Sequence, residues 1–235
     1  MKMLKDNAAV KKICCLLEEN ERKEQTAEYT RLIAALDNIK QQYNALSEKI
    51  WDTKYQLADL PEQRNPAQDS AFHAAMIAGS HADLLHYRLF TIQEQMISLF
   101  VSSVPKFKRT GISILDESLS DLGVQDILEN IQEDSKKVKS EIAECIQKAN
   151  AGIHEVQNTD KHLKAALDHL STFPQIFSCI GEKAGFALSA SRRLETLSKE
   201  KSRQSEKSSI QGRLKAEISI CHIPAKTQKF HGEER

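Results

Sequence analysis

Glycine and proline are scarce in this chain of 235 residues, at 8 and 5, and aromatics make up only 6%, with Trp51 the single tryptophan. Barrels and sandwiches need turn residues at short intervals and aromatic side chains on pleated faces, so neither is expected. Runs of β-branched residues are few as well, which removes the buried strands of a parallel sheet. Net charge is missing: 33 basic residues meet 33 acidic ones. No overall field draws the chain to nucleic acid, and no such partner is expected. Long apolar runs are missing too. Residues 13–17 are apolar, but Glu18 and Glu19 close the run at once. Nothing approaches the ~20 residues of a membrane span, and no signal peptide is readable. Cys14, Cys15, Cys145, Cys179 and Cys221 fit neither a zinc nor a disulfide spacing. A reducing, cytoplasmic setting is the expectation.

Motifs that carry chemistry are also lacking. There is no glycine-rich phosphate loop and no nucleophile elbow. His154, His162 and His169 recur at near-helical spacing, and Asp83 with His86 makes one carboxylate–x–x–His pair. A metal site in a helical bundle needs a second such pair, and none occurs. His73 and His81 add no ligand spacing, and Asp168 beside His169 points elsewhere, because helix neighbours diverge. No catalytic, cofactor-binding or metal-ligating residue is assigned, and no small-molecule substrate is expected.

What the chain does have is a heptad ladder. Leu32, Leu36, Ile39, Tyr43, Leu46, Ile50, Thr53, Leu57 and Leu60 follow a four-three rhythm without a miss. Beyond Pro61 and Pro66 the rhythm resumes in Ala71, Ala75, Ala78, Ala82, Leu85, Leu89, Ile92, Met96, Leu99 and Ser103. Each series forms one stripe of a helix, the seam of a coiled coil. Counted back from the prolines, Leu57 meets Ala75, Thr53 meets Ala78, Ile50 meets Ala82 and Tyr43 meets Leu89. The large side chains of the first stripe, with Trp51 and Tyr55 nearby, oppose alanines on the second, as interdigitating seams require. Asp69 or Ser70 is the expected cap of the second helix and Pro105 its expected stop.

A third stripe runs through Leu128, Ile131, Ser135, Val138, Ile142, Cys145 and Ala149, and continues past a weak stretch at Asn150, Gly152, Asn158 and Asp160 to Leu163, Ala166, Leu170 and Phe173. A break is expected at those poor helix formers. Thr172 and Pro174 read as a fresh helix start, leading to Phe177, Ile180, Ala184, Ala187, Ser191 and Leu194. Folded back at that start, Leu170 would meet Phe177, Leu163 would meet Ala184 and Val156 would meet Ser191.

The expected fold is therefore all-α: elongated antiparallel helical hairpins forming a coiled-coil-like bundle, with a disordered C-terminal tail. The expected divisions are a short amphipathic helix over 1–24, a first hairpin over 25–104 able to fold alone, a basic loop over 105–111, a second helical region with its hairpin over 112–197, and a disordered basic tail over 198–235. Within the tail, residues 217–223 alternate like a short strand. Ile33, Ile77, Leu84, Ile97, Phe100, Ile127 and Ile146 lie off the stripes and need cover, from the other hairpin or from another chain.

The functional expectation is a non-enzymatic helical scaffold or interaction protein, a subunit or adaptor in a larger assembly, binding other helical proteins or itself. Two alternatives remain. One is a bacterial secretion-system component or secreted effector. The other is a membrane-surface binder, with weak contact through the amphipathic start and Cys14 with Cys15.

Overall fold

The computed structural model describes residues 23–60, 62, 64–110, 123–153 and 161–220. Among these described residues five helices follow one another: α1 (Lys23–Ala58), α2 (Pro66–Thr110), α3 (Val124–Gly152), α4 (Lys161–Leu170) and α5 (Phe173–Ile220). Among the described residues there is no strand. The amphipathic helix expected over 1–24 falls almost entirely outside the described residues.

Every described residue of the expected stripes turns inward. Leu32, Leu36, Ile39, Leu46, Ile92, Leu128, Ile131, Ile142, Leu163, Leu170 and Phe173 are fully enclosed, and Ala71, Ala78, Ala149, Ala166, Ala184 and Ala187 fill the spaces between them. These side chains form one core along a four-helix bundle.

The order around the bundle is set by contacts between helices. α1 and α2 run antiparallel in the expected register, with Tyr43 stacked on His86 at 5.4 Å and Lys54 lying against Gly79. Yet this is the loosest of the four sides. α2 packs far more closely on α3, where Arg88 binds Asp134 at 2.5 Å. α3 packs on α5 and α5 packs on α1, with equal closeness. The first hairpin is thus two sides of a closed bundle rather than a separate coiled coil.

The second hairpin is corrected. α4 and α5 do not fold against each other; they run as one broken rod beside α1. His162 lies at 3.0 Å from Gln56, and Thr172 takes a hydrogen bond from Lys49 Nζ at 3.2 Å. Further along, Phe186 and Arg193 reach the level of Asn38 and Arg31. The joint explains the missing reversal. Ser171 N–H still donates to the Leu167 carbonyl and Ile176 N–H to the Thr172 carbonyl, so helical bonding almost bridges the break. Pro174 occupies the first turn of α5, where its missing N–H costs little. α5 instead reverses against α3, as Lys139 to Ser178 at 3.1 Å and Gln125 to Glu195 at 2.9 Å record.

The helix ends bring further corrections. α2 begins before Asp69 and Ser70: Asn65 Oδ1 accepts from Gln68 N–H, and Gln68 Oε1 accepts from Asn65 N–H, a reciprocal cap with Pro66 at the first helical position. α2 does not stop at Pro105 but runs through the expected basic loop to Thr110. Lys106, Lys108 and Arg109 are good helix formers. Likewise α5 continues past Ser198 to Ile220, so the expected tail is helical over that stretch, including residues 217–220 of the strand-like segment. Its Lys, Gln, Glu and Arg content sustains a helix even without an apolar stripe. The break after α3 falls at Gly152, where expected. At the other end of α3, Gly123 supplies the left-handed φ of 67° that precedes the helix.

Candidate functional site

Among the described residues, the exposed large apolar side chains are Trp51, Tyr55, Met76, Leu84, Tyr87, Phe90 and Phe186. Five of them lie on one face. On α1 a ridge at spacings of three and four runs Ile33, Asp37, Lys40, Asn44, Ser47, Trp51, Tyr55. It borders the Tyr43 and Lys54 edge that meets α2. On α2 the facing ridge runs Met76, Ser80, Asp83, Tyr87, Phe90, beside the Gly79 and His86 edge that meets α1. The antiparallel register sets Met76 beside Tyr55 and Ser80 beside Trp51.

The face is open where its aromatics stand. Trp51 is 71% exposed, Tyr55 70%, Tyr87 66%, Met76 49% and Phe90 47%. Between the ridges lies Gly79, and the ridges themselves carry the small Ser47 and Ser80. Lys54 lies across Gly79, with its Nζ 5.7 Å from the Trp51 ring centre. A cation over an indole face holds both side chains in place. Toward the start of α1 the same ridge is closed, with Ile33, Asp37 and Lys40 all buried. Neither carboxylate oxygen of Asp37 has a hydrogen-bond partner.

A second concavity lies between α1 and α5. It is a groove of about 640 Å³ with Ala34, Ala35 and Ala190 on its floor and Phe186 exposed at its edge. Arg31 is held by Glu28 at 2.7 Å, and Lys183 sits 5.5 Å from the Phe186 ring centre. It offers one aromatic anchor where the α1–α2 face offers four.

The residues weighed for chemistry disperse. His162 approaches Gln56 and Asp59, and His86 stacks on Tyr43. His169 has its Nδ1 buried without a partner. His154 lies outside the described residues. Among those described, no three His, Cys, Asp or Glu side chains converge as metal ligands. Cys145 and Cys179 are free, and burial pushes the Cys145 thiol pKa up. No described helix is long and apolar enough to cross a membrane.

Of the off-stripe residues that needed cover, Ile33 is buried, and Ile77, Ile127 and Ile146 pack partly against the core. Leu84 stays exposed. Trp51 and Tyr55, expected near the seam, stand beside it on the open face. The signal was present in the spacing: an aromatic pair four apart, one step off the ladder at Ile50, must stand on the adjoining face.

No curated protein and no solved structure matches this chain. Residues 6–171 match the model of a family of unknown function, covering α1 to α4 and ending at the joint before α5. The chain belongs to that family, DUF6674.

Proposed function

We propose that this is a non-catalytic helical interaction protein, a subunit or adaptor in a larger assembly, and that it docks a helical partner on the α1–α2 face. One observation carries the reading. Trp51, Tyr55, Met76, Tyr87 and Phe90 stand exposed on one face. Isolated apolar residues on a surface are ordinary, whereas contiguous aromatic patches mark interfaces. Aromatic side chains with few rotatable bonds are the usual anchors of such contacts. A helical partner suits the geometry, because the apolar side chains stand on two antiparallel ridges that run side by side along the face. The free thiols of Cys145 and Cys179 favour a reducing, cytoplasmic setting.

Photo-crosslinking in the native cell tests the proposal. A photoreactive residue in place of Tyr87 is expected to give discrete protein adducts, whereas one in place of Glu182, exposed on α5, is not. Equal labelling from both positions would defeat the assignment of the face. Flotation with lipid vesicles that is lost in Trp51→Glu would do so as well, by making the face a membrane contact.

A further inference from the structure

We infer that the segment ahead of α1, residues 1–22, turns back along that helix and covers its ridge at Ile33, Asp37 and Lys40, with Lys2 and Lys5 answering the Asp37 carboxylate. The docking reading concerns the other half of the face, at Trp51 and Tyr87, and neither depends on the other.

The burial of the ridge calls for a cover. Ile33 is 6% exposed, Asp37 4% and Lys40 5%. A seam position is that deeply buried because the opposite helix closes over it, whereas a ridge one step off the seam is ordinarily part open. Farther along the same ridge Asn44, Trp51 and Tyr55 are exposed, although α1 and α2 continue side by side there. α2 alone therefore does not close the first half. α4 and α5 lie on the opposite flank of α1, at Ala35, Lys49 and Gln56.

Asp37 states what the cover must contain. Both of its carboxylate oxygens are buried without a hydrogen-bond partner, so Lys40, one turn along, does not bond to it. A buried carboxylate is stable only against a positive charge, and Ile33 beside it needs apolar contact.

Of the longer stretches outside the described residues, 1–22 meets both needs. Residues 111–122 carry Asp116, Glu117 and Asp121 with no basic residue, and would set like charge against Asp37. Residues 154–160 lead into His162, which lies by Gln56 and Asp59 near the far end of α1. Residues 221–235 follow α5, which reaches the level of Arg31 at Arg193 and runs about 40 Å beyond it. Residues 1–22 run straight into α1 at Lys23. They carry Lys2, Lys5, Lys11 and Lys12, with Val10, Ile13 and Leu17 at three-four spacing. Ile33 to Lys40 lies about 15–26 Å along α1 from its start, and a helix over 4–17 is about 21 Å long. A reversal at the charged stretch 18–22 sets the apolar stripe toward Ile33 and brings Lys2 and Lys5 to the level of Asp37. The family match begins at residue 6, so most of the segment belongs to the part the family shares.

The full chain with a small diazirine amino acid in place of Ile33 gives the test. Irradiation and peptide mass spectrometry are expected to join position 33 to a peptide from residues 1–17. With isotopically light and heavy chains mixed, the adduct should lie within one chain. Lys2→Glu combined with Lys5→Glu is expected to lose most of that adduct while the helical circular dichroism signal stays. Asp37→Lys added to the pair is expected to restore it. Adducts on residues 111–122, adducts between light and heavy chains, or no adduct on residues 1–22 would overturn the inference. An adduct that the lysine exchange leaves unchanged would overturn it as well. The crosslink from position 87 reports on docking separately, and can appear or fail whichever way the adduct from position 33 falls.

Discussion

Single side chains in this bundle divide into those that fill the core and those that merely tolerate it. Leu46 is fully enclosed at mid-length of α1. Leu46→Ala removes buried methyl groups and leaves a cavity, so it should cost on the order of 2–5 kcal/mol, read as a lower midpoint in urea denaturation. Ser191 is the opposite case. It sits on the same inward stripe, fully buried, and its hydroxyl finds no partner. Ser135 across the bundle solves the same problem by donating to the Ile131 carbonyl at 2.6 Å. An unsatisfied buried hydroxyl is a desolvation cost without return. Ser191→Ala should therefore stabilise the fold by about 1 kcal/mol, while Ser135→Ala should give no comparable gain. Thermal melts of the two variants decide it.

Pairs of helices are governed by how closely their backbones approach. Gly181 and Gly185 lie one turn apart on the side of α5 that meets α3. A Cβ at 185 would meet only the tip of Gln132, at 2.7 Å, a flexible amide able to swing aside. A Cβ at 181 would stand 3.2 Å from the Ser135 Cβ, which cannot move without its backbone. Replacing glycine by alanine in a helix gains up to about 1 kcal/mol in propensity. That gain should survive in Gly185→Ala and be cancelled in Gly181→Ala, a difference measurable as separated melting temperatures. The same pair of helices marks where the sequence stopped being readable. The stripes told which face of each helix turns inward, and every described residue on them does so, because burial is written in periodicity. Periodicity is silent on neighbours: four inward stripes share one core, and any two antiparallel ones can be put in register on paper. Leu163 opposite Ala184 was therefore as plausible as Gly181 opposite Ser135. Only the near-continuous bonding through Ser171 and Thr172 separates the two. The candidate face was legible in part, since Trp51 and Tyr55 could be placed off the ladder but not beside Met76 and Tyr87 until the register was known.

At the scale of the whole molecule, the bundle is a cycle rather than a pair of hairpins. α1 leans mainly on α5 and α4, and α2 mainly on α3. Residues 23–110 expressed alone would leave Leu32, Leu36, Ile39 and Ile92 facing water across the loosest side. They should lose the cooperative melt that sequence reasoning gave them, and circular dichroism with heating would show a broad transition. Residues 23–197 should melt cooperatively. The contact that closes the cycle joins distant parts of the chain: Lys49 and Thr172 are 123 positions apart. Chains are made from the N-terminus at about 5–20 residues per second, so α1 waits many seconds for its principal neighbour. During that time the newborn chain holds α1 with its apolar stripe uncovered, and α5, the last of the described helices, ends the exposure. The broken rod of α4 and α5 thus acts as a clasp in time as well as in space. Chain termination ahead of α5 would turn the closed bundle into a substrate for chaperones and proteases.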